Sequence, residues 1–135
     1  MLTLKTRYAM MASLKLAREV GNGPILISEI AKSEKIPQRY LESILLELKN
    51  NGVVGSKIGK TGGYFLMKAP EKINLLDIVR LFEGGIAMMP CISEISYQPC
   101  EFCKDEDKCK VKKVFKEIRD NTYNKLKGTT LNDLL

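Results

Sequence analysis

Between residues 4 and 20, apolar side chains recur at Ala9, Ala12, Leu16 and Val20, widened by Met10, Leu14 and Ala17, with Lys15, Arg18 and Glu19 on the other side. This three-and-four spacing predicts an amphipathic helix. The run "GNGP" at 21–24 ends it, because glycine accepts left-handed dihedrals and proline cannot continue the ladder. Ser28 is placed to cap a short helix to about Ser33, with Ile30 and Ala31 facing inward, and Pro37 suits the first turn of the next helix. That helix runs to about Asn50, its inward stripe being Leu41, Ile44, Leu45 and Leu48 and its outward groups Gln38, Arg39, Glu42, Ser43 and Lys49. Two short helices joined by a tight turn, the second polar on its outer face, make a helix-turn-helix.

Two β-prone runs, "VVGSKI" and "YFLMKA", flank the glycine-rich "GKTGG" at 59–63 and predict a hairpin with Lys57 and Lys60 near its tip. A basic hairpin directly after a recognition helix is a wing, able to reach phosphates or a minor groove. Residues 71–84 predict another helix with the stripe Leu75, Ile78, Val79 and Phe82, closed by Gly84 and Gly85. Residues 85–108 show no period. From about Cys109 a last helix carries Val111, Val114, Phe115, Ile118, Thr122 and Leu126 at three-and-four spacing. So long a stripe either folds back on its own core or pairs with a second copy, and its resemblance to a coiled-coil seam favours pairing, through Val111, Val114, Phe115 and Ile118. The expected architecture is mainly α, a winged helix-turn-helix with a small β-hairpin wing and a long C-terminal dimerisation helix. Its expected divisions are a DNA-binding domain at 1–83, a cysteine-rich sensor loop at 84–108, and a dimerisation helix and tail at 109–135.

Charge sharpens this picture. Of a net +6, residues 1–83 hold 13 Lys and Arg against 8 Asp and Glu, while residues 84–135 hold 9 against 8. A basic excess confined to the helix-turn-helix and wing suits a polyanion such as double-stranded DNA. The first residues interleave Lys5, Arg7 and Lys15 with apolar positions, which argues against a signal peptide, and no run approaches the ~18 apolar residues that would span a bilayer. A cytoplasmic protein is expected, without membrane association.

The candidate chemistry lies in the aperiodic stretch. All four cysteines, Cys91, Cys100, Cys103 and Cys109, fall within nineteen residues of a chain that has no histidine. In a reducing compartment such clustering points to metal binding or thiol chemistry rather than structural disulfides. Thiolates suit iron, zinc or copper(I), and four of them satisfy a tetrahedral site or an iron-sulfur cluster; the spacing matches neither a zinc ribbon nor a ferredoxin. Direct thiol oxidation and inert thiols are the remaining readings. A small thiol oxidoreductase would have little to work with: there is no histidine base, and "GKTGG" lies between strands rather than before a helix as a phosphate-cradling loop would. A protein-interaction module using the last amphipathic helix is the third class of function. The chain is expected not to be an enzyme.

The segments "TRYAMMASLKLA", "ISEIAKSEKIPQRYLESILLELKNNGVVGSKIGKTGGYFL" and "INLLDIVRLFEGG", the cysteine stretch and the closing "TTLNDLL" occur in an order that resembles the Rrf-two (BadM-type) bacterial transcription regulators. The resemblance implies a homodimeric winged-helix protein on a palindromic operator, with the last long helix making most of the dimer contact. By position, Arg39, Glu42 and Ser43, with Gln38 beside them, would face bases or phosphates, Lys57 and Lys60 would serve the wing, and Tyr40 and Leu41 would pack. In cluster-binding members three cysteines precede the dimerisation helix, the last two separated by five residues. Cys103 and Cys109 have that separation and Cys91 stands in the first place, at a longer interval that contains Cys100. Where relatives supply a fourth ligand as a histidine or as an acid from the partner's first helix, this chain has Lys112 and Arg7, which cannot ligate iron. The resemblance therefore implies a two-iron two-sulfur or four-iron four-sulfur cluster on Cys91, Cys103 and Cys109 with Cys100 as fourth ligand, zinc or no metal being the alternatives. Without metal the stretch is expected to be mobile, with Cys100 and Cys103 close enough to oxidise.

Overall fold

In a computed structural model, residues 2–103 and 105–135 are described, and the first element follows the apolar period read above. Helix α1 (Leu4–Arg18) starts where Thr3 turns its side chain back onto the Thr6 amide, and it buries Thr6, Ala9, Ala12, Ser13, Leu16 and Ala17. Alanines on that face let α1 lie close against its neighbours. The helix ends before Val20, which is exposed rather than part of the stripe.

Helix α2 (Ile27–Glu34) begins two residues earlier than its polar sequence suggests: Leu26 occupies the cap position without a side-chain bond, and Ser28 lies inside the helix. The backbone here is ordered by the tertiary partner described below, so a polar cap is not what starts it. Lys35 closes α2 in the left-handed conformation, Ile36 is buried, and Pro37 leads into helix α3 (Gln38–Asn50). The inward stripe of α3 is as its period predicts, with Leu41, Ile44, Leu45 and Leu48 fully buried. Each such leucine or isoleucine contributes about 1.5–3 kcal/mol of transfer free energy.

Strands β1 (Val54–Lys57) and β2 (Gly63–Leu66) form the antiparallel hairpin, with Val54 opposite Leu66 and Lys57 opposite Gly63. Ile25 pairs with Tyr64 through two 2.8 Å backbone bonds and so ties the wing to the entry of the helix-turn-helix. Gly63 is required at this crossing. Its φ is 139°, and a Cβ there would meet the Ile25 carbonyl oxygen at 2.3 Å.

Residues Pro70–Lys72 form a single 3-10 turn, so helix α4 (Leu75–Glu83) starts later than its sequence pattern, capped by the Asn74 side chain on the Asp77 amide. Leu76, Ile78 and Val79 are buried while Leu75 and Phe82 are half-buried, which shifts the inward stripe by part of a turn. The end of α4 is fastened to α1: Glu83 Oε1 accepts from the Thr3 amide (2.6 Å), Thr3 Oγ1 (2.8 Å) and the buried Thr6 Oγ1 (2.5 Å). The Thr6 hydroxyl is the largest cause holding the Glu83 carboxyl below its ordinary value, burial working against it.

Helix α5 (Lys110–Lys127) has no fully buried residue. It is anchored at its far end because the chain then returns to the core: Leu75 N donates to Thr129 O and Leu131 N to Ile73 O, both at 2.9 Å, and Leu131 is fully buried. The closing "TTLNDLL" thus contributes Leu131 to the winged-helix core. Among the described residues no helix is long and apolar enough to cross a membrane.

Candidate functional site

Two groups of residues stand out. On α3, Gln38, Arg39, Glu42 and Ser43 are all exposed, on the face opposite the buried leucines. Tyr40, expected to pack, is instead 47% exposed, since it lies about 100° around the helix from fully buried Leu41. Arg39 Nη2 donates to the Tyr40 hydroxyl (3.2 Å) and its guanidinium lies 5.0 Å from the ring centroid, so the ring braces the cation. Ser43 Oγ donates to Tyr40 O at 3.1 Å.

The wing is fixed to the helix by Lys49 Nζ, which donates to Ser56 Oγ at 2.7 Å. Lys57 and Lys60 are exposed around the hairpin tip, and between them Ile58 is almost entirely exposed, an apolar tip residue that charge-based reading passed over. Lys5 Nζ bonds Glu47 Oε1 at 2.7 Å, joining α1 to α3. The result is a rigid polar helix face beside a basic, apolar-tipped hairpin.

The second group is built by the chain between α4 and α5. All four thiols are free, and they border one cavity of about 230 Å³ with Met89, Phe102, Glu106, Val111 and Lys112. Cys91 is the buried one. It lies in the 3-10 turn Pro90–Ile92, which Arg119 of α5 holds by donating to the Ile92 carbonyl. Cys109 caps α5, its sulfur accepting from the Lys112 amide at 3.4 Å. Cys103 donates to Asp105 O at 3.2 Å. Burial raises the Cys103 thiol above its ordinary value, and the neighbouring Cys109 and Cys100 thiols add to this against a partial offset from the Asp105 backbone.

Glu106 organises the site, and sequence reading missed it. Its carboxylate accepts from the Cys100 amide (2.7 Å), the Tyr97 hydroxyl (2.7 Å) and Lys112 Nζ (3.0 Å), while its backbone carbonyl accepts from the Cys109 amide (3.2 Å). The Cys100 amide bond, then those from Tyr97 and Lys112, hold the Glu106 carboxyl down at about 2. The same pairing raises Lys112. Glu106 therefore latches the cysteine stretch onto the first turn of α5 through Lys112. The available signal was the middle acid of Asp105–Asp107, six residues from both Cys100 and Lys112, which only the fold distinguishes from its two neighbours.

The donor set suits a soft metal or cluster in chemistry and number, four thiols around one cavity with apolar walls. Among the described residues, however, no three Cys, Asp or Glu side chains already converge at ligating distance. On α5 the expected seam divides into two faces. Val111, Val114 and Ile118 are exposed, whereas Phe115 is half-buried with Lys112, Arg119, Tyr123 and Leu126 on the side turned to the body, where Arg80 stacks 4.8 Å from the Tyr123 ring.

A helix-turn-helix with a braced, exposed recognition face and a basic wing defines a winged-helix transcriptional regulator. The comparisons give the family. Residues 2–135 match Rrf2, described as "Iron-dependent Transcriptional regulator", and the chain belongs to that family. It is 42% identical over 138 residues to a putative rrf2-like HTH-type regulator of Rhodobacter capsulatus, covering 100% of this chain and 92% of that one. The structure of CymR, the global cysteine regulator of B. subtilis, superposes with a TM-score of 0.83 at 33% identity, over 99% of this chain and 95% of that one. The T. potens IscR structure does so with a TM-score of 0.78 at 26% identity, over 99% and 85%. These relatives are transcriptional regulators, not enzymes, and this chain is a regulator of the same family.

Proposed function

We propose that the protein is a homodimeric DNA-binding regulator whose operator affinity is set by the state of its four-thiol cavity, with an iron-sulfur cluster held by Cys91, Cys103 and Cys109 and completed by Cys100. The observation that carries this reading is the gathering of all four thiols of an Rrf2-family chain around one cavity, between the DNA-reading domain and α5. When bound, the cluster would supply a redox- and ligand-sensitive centre. This chain's residues do the rest. Glu106 positions Cys100 and the first turn of α5, Arg119 holds the turn carrying Cys91, and Gln38, Arg39, Glu42 and Ser43 with Lys57 and Lys60 face a palindromic double-stranded operator. Any rearrangement of the cavity acts on the start of α5, whose exposed Val111, Val114 and Ile118 form the dimer seam with half-buried Phe115 beneath, and so acts on the spacing of the two wings.

Protein purified without oxygen, analysed for iron, sulfide and zinc and titrated against DNA from its own promoter, tests this. The expected result is a coloured protein with iron and sulfide, losing its absorbance and shifting its operator affinity together on exposure to oxygen or nitric oxide. Colourless protein with stoichiometric zinc would reject the cluster.

A second reading, sensing by direct thiol oxidation, is favoured by one observation: among the described residues no three ligating side chains converge, so the thiols are arranged around the cavity rather than on a point. Metal-free protein that binds its operator and responds to peroxide alone would decide for it.

A further inference from the structure

The four thiols are not equivalent, and their differences select one pair. Cys91 is buried in a turn pinned by Arg119, and Cys100 has its amide fixed on the Glu106 carboxylate. Cys100, Cys103 and Cys109 are all half-exposed, so exposure sets aside only Cys91. Before Cys109 stands the 3-10 turn Glu106–Lys108, closed by Lys108 N on Asp105 O (3.3 Å) and Cys109 N on Glu106 O (3.2 Å). Cys103 Sγ points into this turn, donating to the same Asp105 carbonyl at 3.2 Å, and the Cys109 thiol lies beside it on the wall of the shared cavity.

We propose that Cys103 and Cys109 form a reversible intrachain disulfide when the metal-free protein meets a peroxide, and that this pair, not Cys100 with Cys103, is the oxidisable one. One sulfur attacks a peroxide oxygen, breaking the O–O bond to give a sulfenic acid and releasing the other oxygen as water or an alcohol. The second thiol attacks that sulfur, the S–S bond forms, and the hydroxyl leaves as water. Two electrons pass from the two sulfurs to the peroxide, and a dithiol reductant reverses the step. The consequence lies in α5. Cys109 is the residue whose sulfur accepts the Lys112 amide, so bridging it redirects the helix cap, and Cys100 remains a free thiol. This inference rests on the thiol-sensing chemistry of the cavity, but not on a cluster being its resident group.

The test uses the full-length protein, stripped with a chelator and treated with limiting hydrogen peroxide. Non-reducing digestion with trypsin and an acidic-residue protease separates Phe102–Lys104 from Cys109–Lys110 and from the peptides of Cys91 and Cys100. The expected product is those two peptides joined, lighter by two hydrogens and released by dithiothreitol. Cys100→Ser should leave its yield within about twofold of wild type, whereas Cys103→Ser and Cys109→Ser should abolish it. A disulfide of Cys100 with Cys103, an interchain disulfide, or sulfinic acid as the main product would overturn the assignment. Because the mapping is made on wild-type protein, a variant that fails to fold does not affect it. Operator binding by the reduced protein, measured in the same samples, shows separately whether the regulator reading stands.

Discussion

The winged-helix half and the cysteine half of this molecule are held together by different physics. In the first, Ala9, Ala12, Leu41, Ile44, Leu45 and Leu48 are fully buried and the polar outer face is what remains once the core is satisfied. In the second, between α4 and α5, only Cys91 and Ile92 are buried among the described residues, Phe102 is 96% exposed, and the segment is held by polar bonds, chiefly one carboxylate with three donors and Arg119 on the Ile92 carbonyl. A core tolerates changes outside it and resists changes within it. A polar latch can be opened by one proton or one rearranged ligand, which is what a sensing segment requires.

The largest expected effect breaks the first half. Leu45→Ala should cost about 2–5 kcal/mol in denaturant unfolding, whereas Phe102→Ala should stay within about 0.5 kcal/mol, because it removes an exposed side chain. A Phe102→Ala cost equal to that of Leu45→Ala would mean that the cysteine segment shares the core. Next, Val114→Glu should weaken dimerisation about a hundredfold in analytical ultracentrifugation while leaving the fold intact, since Val114 is exposed on the monomer and a charge would have to be desolvated at a seam. Phe115→Glu should also reduce folding stability, because Phe115 is half-buried against its own chain. Unchanged dimerisation of Val114→Glu would take this face of α5 out of the interface.

Arg39→Gln should lose about 1–3 kcal/mol of operator binding and relax sequence preference, whereas Lys60→Gln should weaken all sequences alike and lower the salt slope. Tyr40→Leu removes the brace under Arg39, and a smaller loss in the same direction is expected by fluorescence anisotropy. The smallest effect concerns the latch. The Glu106 carboxyl is held at about 2 against an ordinary 4.5, so its contribution is complete above about pH 4.5 and is lost as the pH falls toward 2. The Cys100 amide proton should therefore shift in NMR spectra with a midpoint near pH 2, and Glu106→Gln should abolish that titration with little change in global stability. A Cys100 amide insensitive to both would remove Glu106 from this role.

How much was legible follows the same division. The helix-turn-helix, the buried stripe of α3 and the hairpin could be read because their apolar periods are local and the core is made of them. The starts of α2 and α4 were misplaced because long-range backbone pairing, Ile25 with Tyr64 and Leu75 with Thr129, sets where those segments begin. Tyr40 was misread because an aromatic residue at the edge of a buried stripe can point either way, and its bond to Arg39 settles the direction. The cysteines were conspicuous as a set. Glu106 was not, since its meaning depends on bringing Tyr97, Cys100 and Lys112 to one carboxylate.

By itself, then, the order of apolar and polar residues determined which faces are buried, where the recognition helix and wing lie, and that every thiol falls in one connecting segment, because helix and strand periods act over a few neighbouring residues. The tertiary structure decided what sequence distance hides: that Leu131 closes the core from the end of the chain, that α5 turns Phe115 inward and Val114 outward, and that all four thiols border one cavity. Those arrangements depend on chain segments meeting across loops, and a buried apolar side chain or a charged hydrogen bond fixes each of them only once the whole fold has formed.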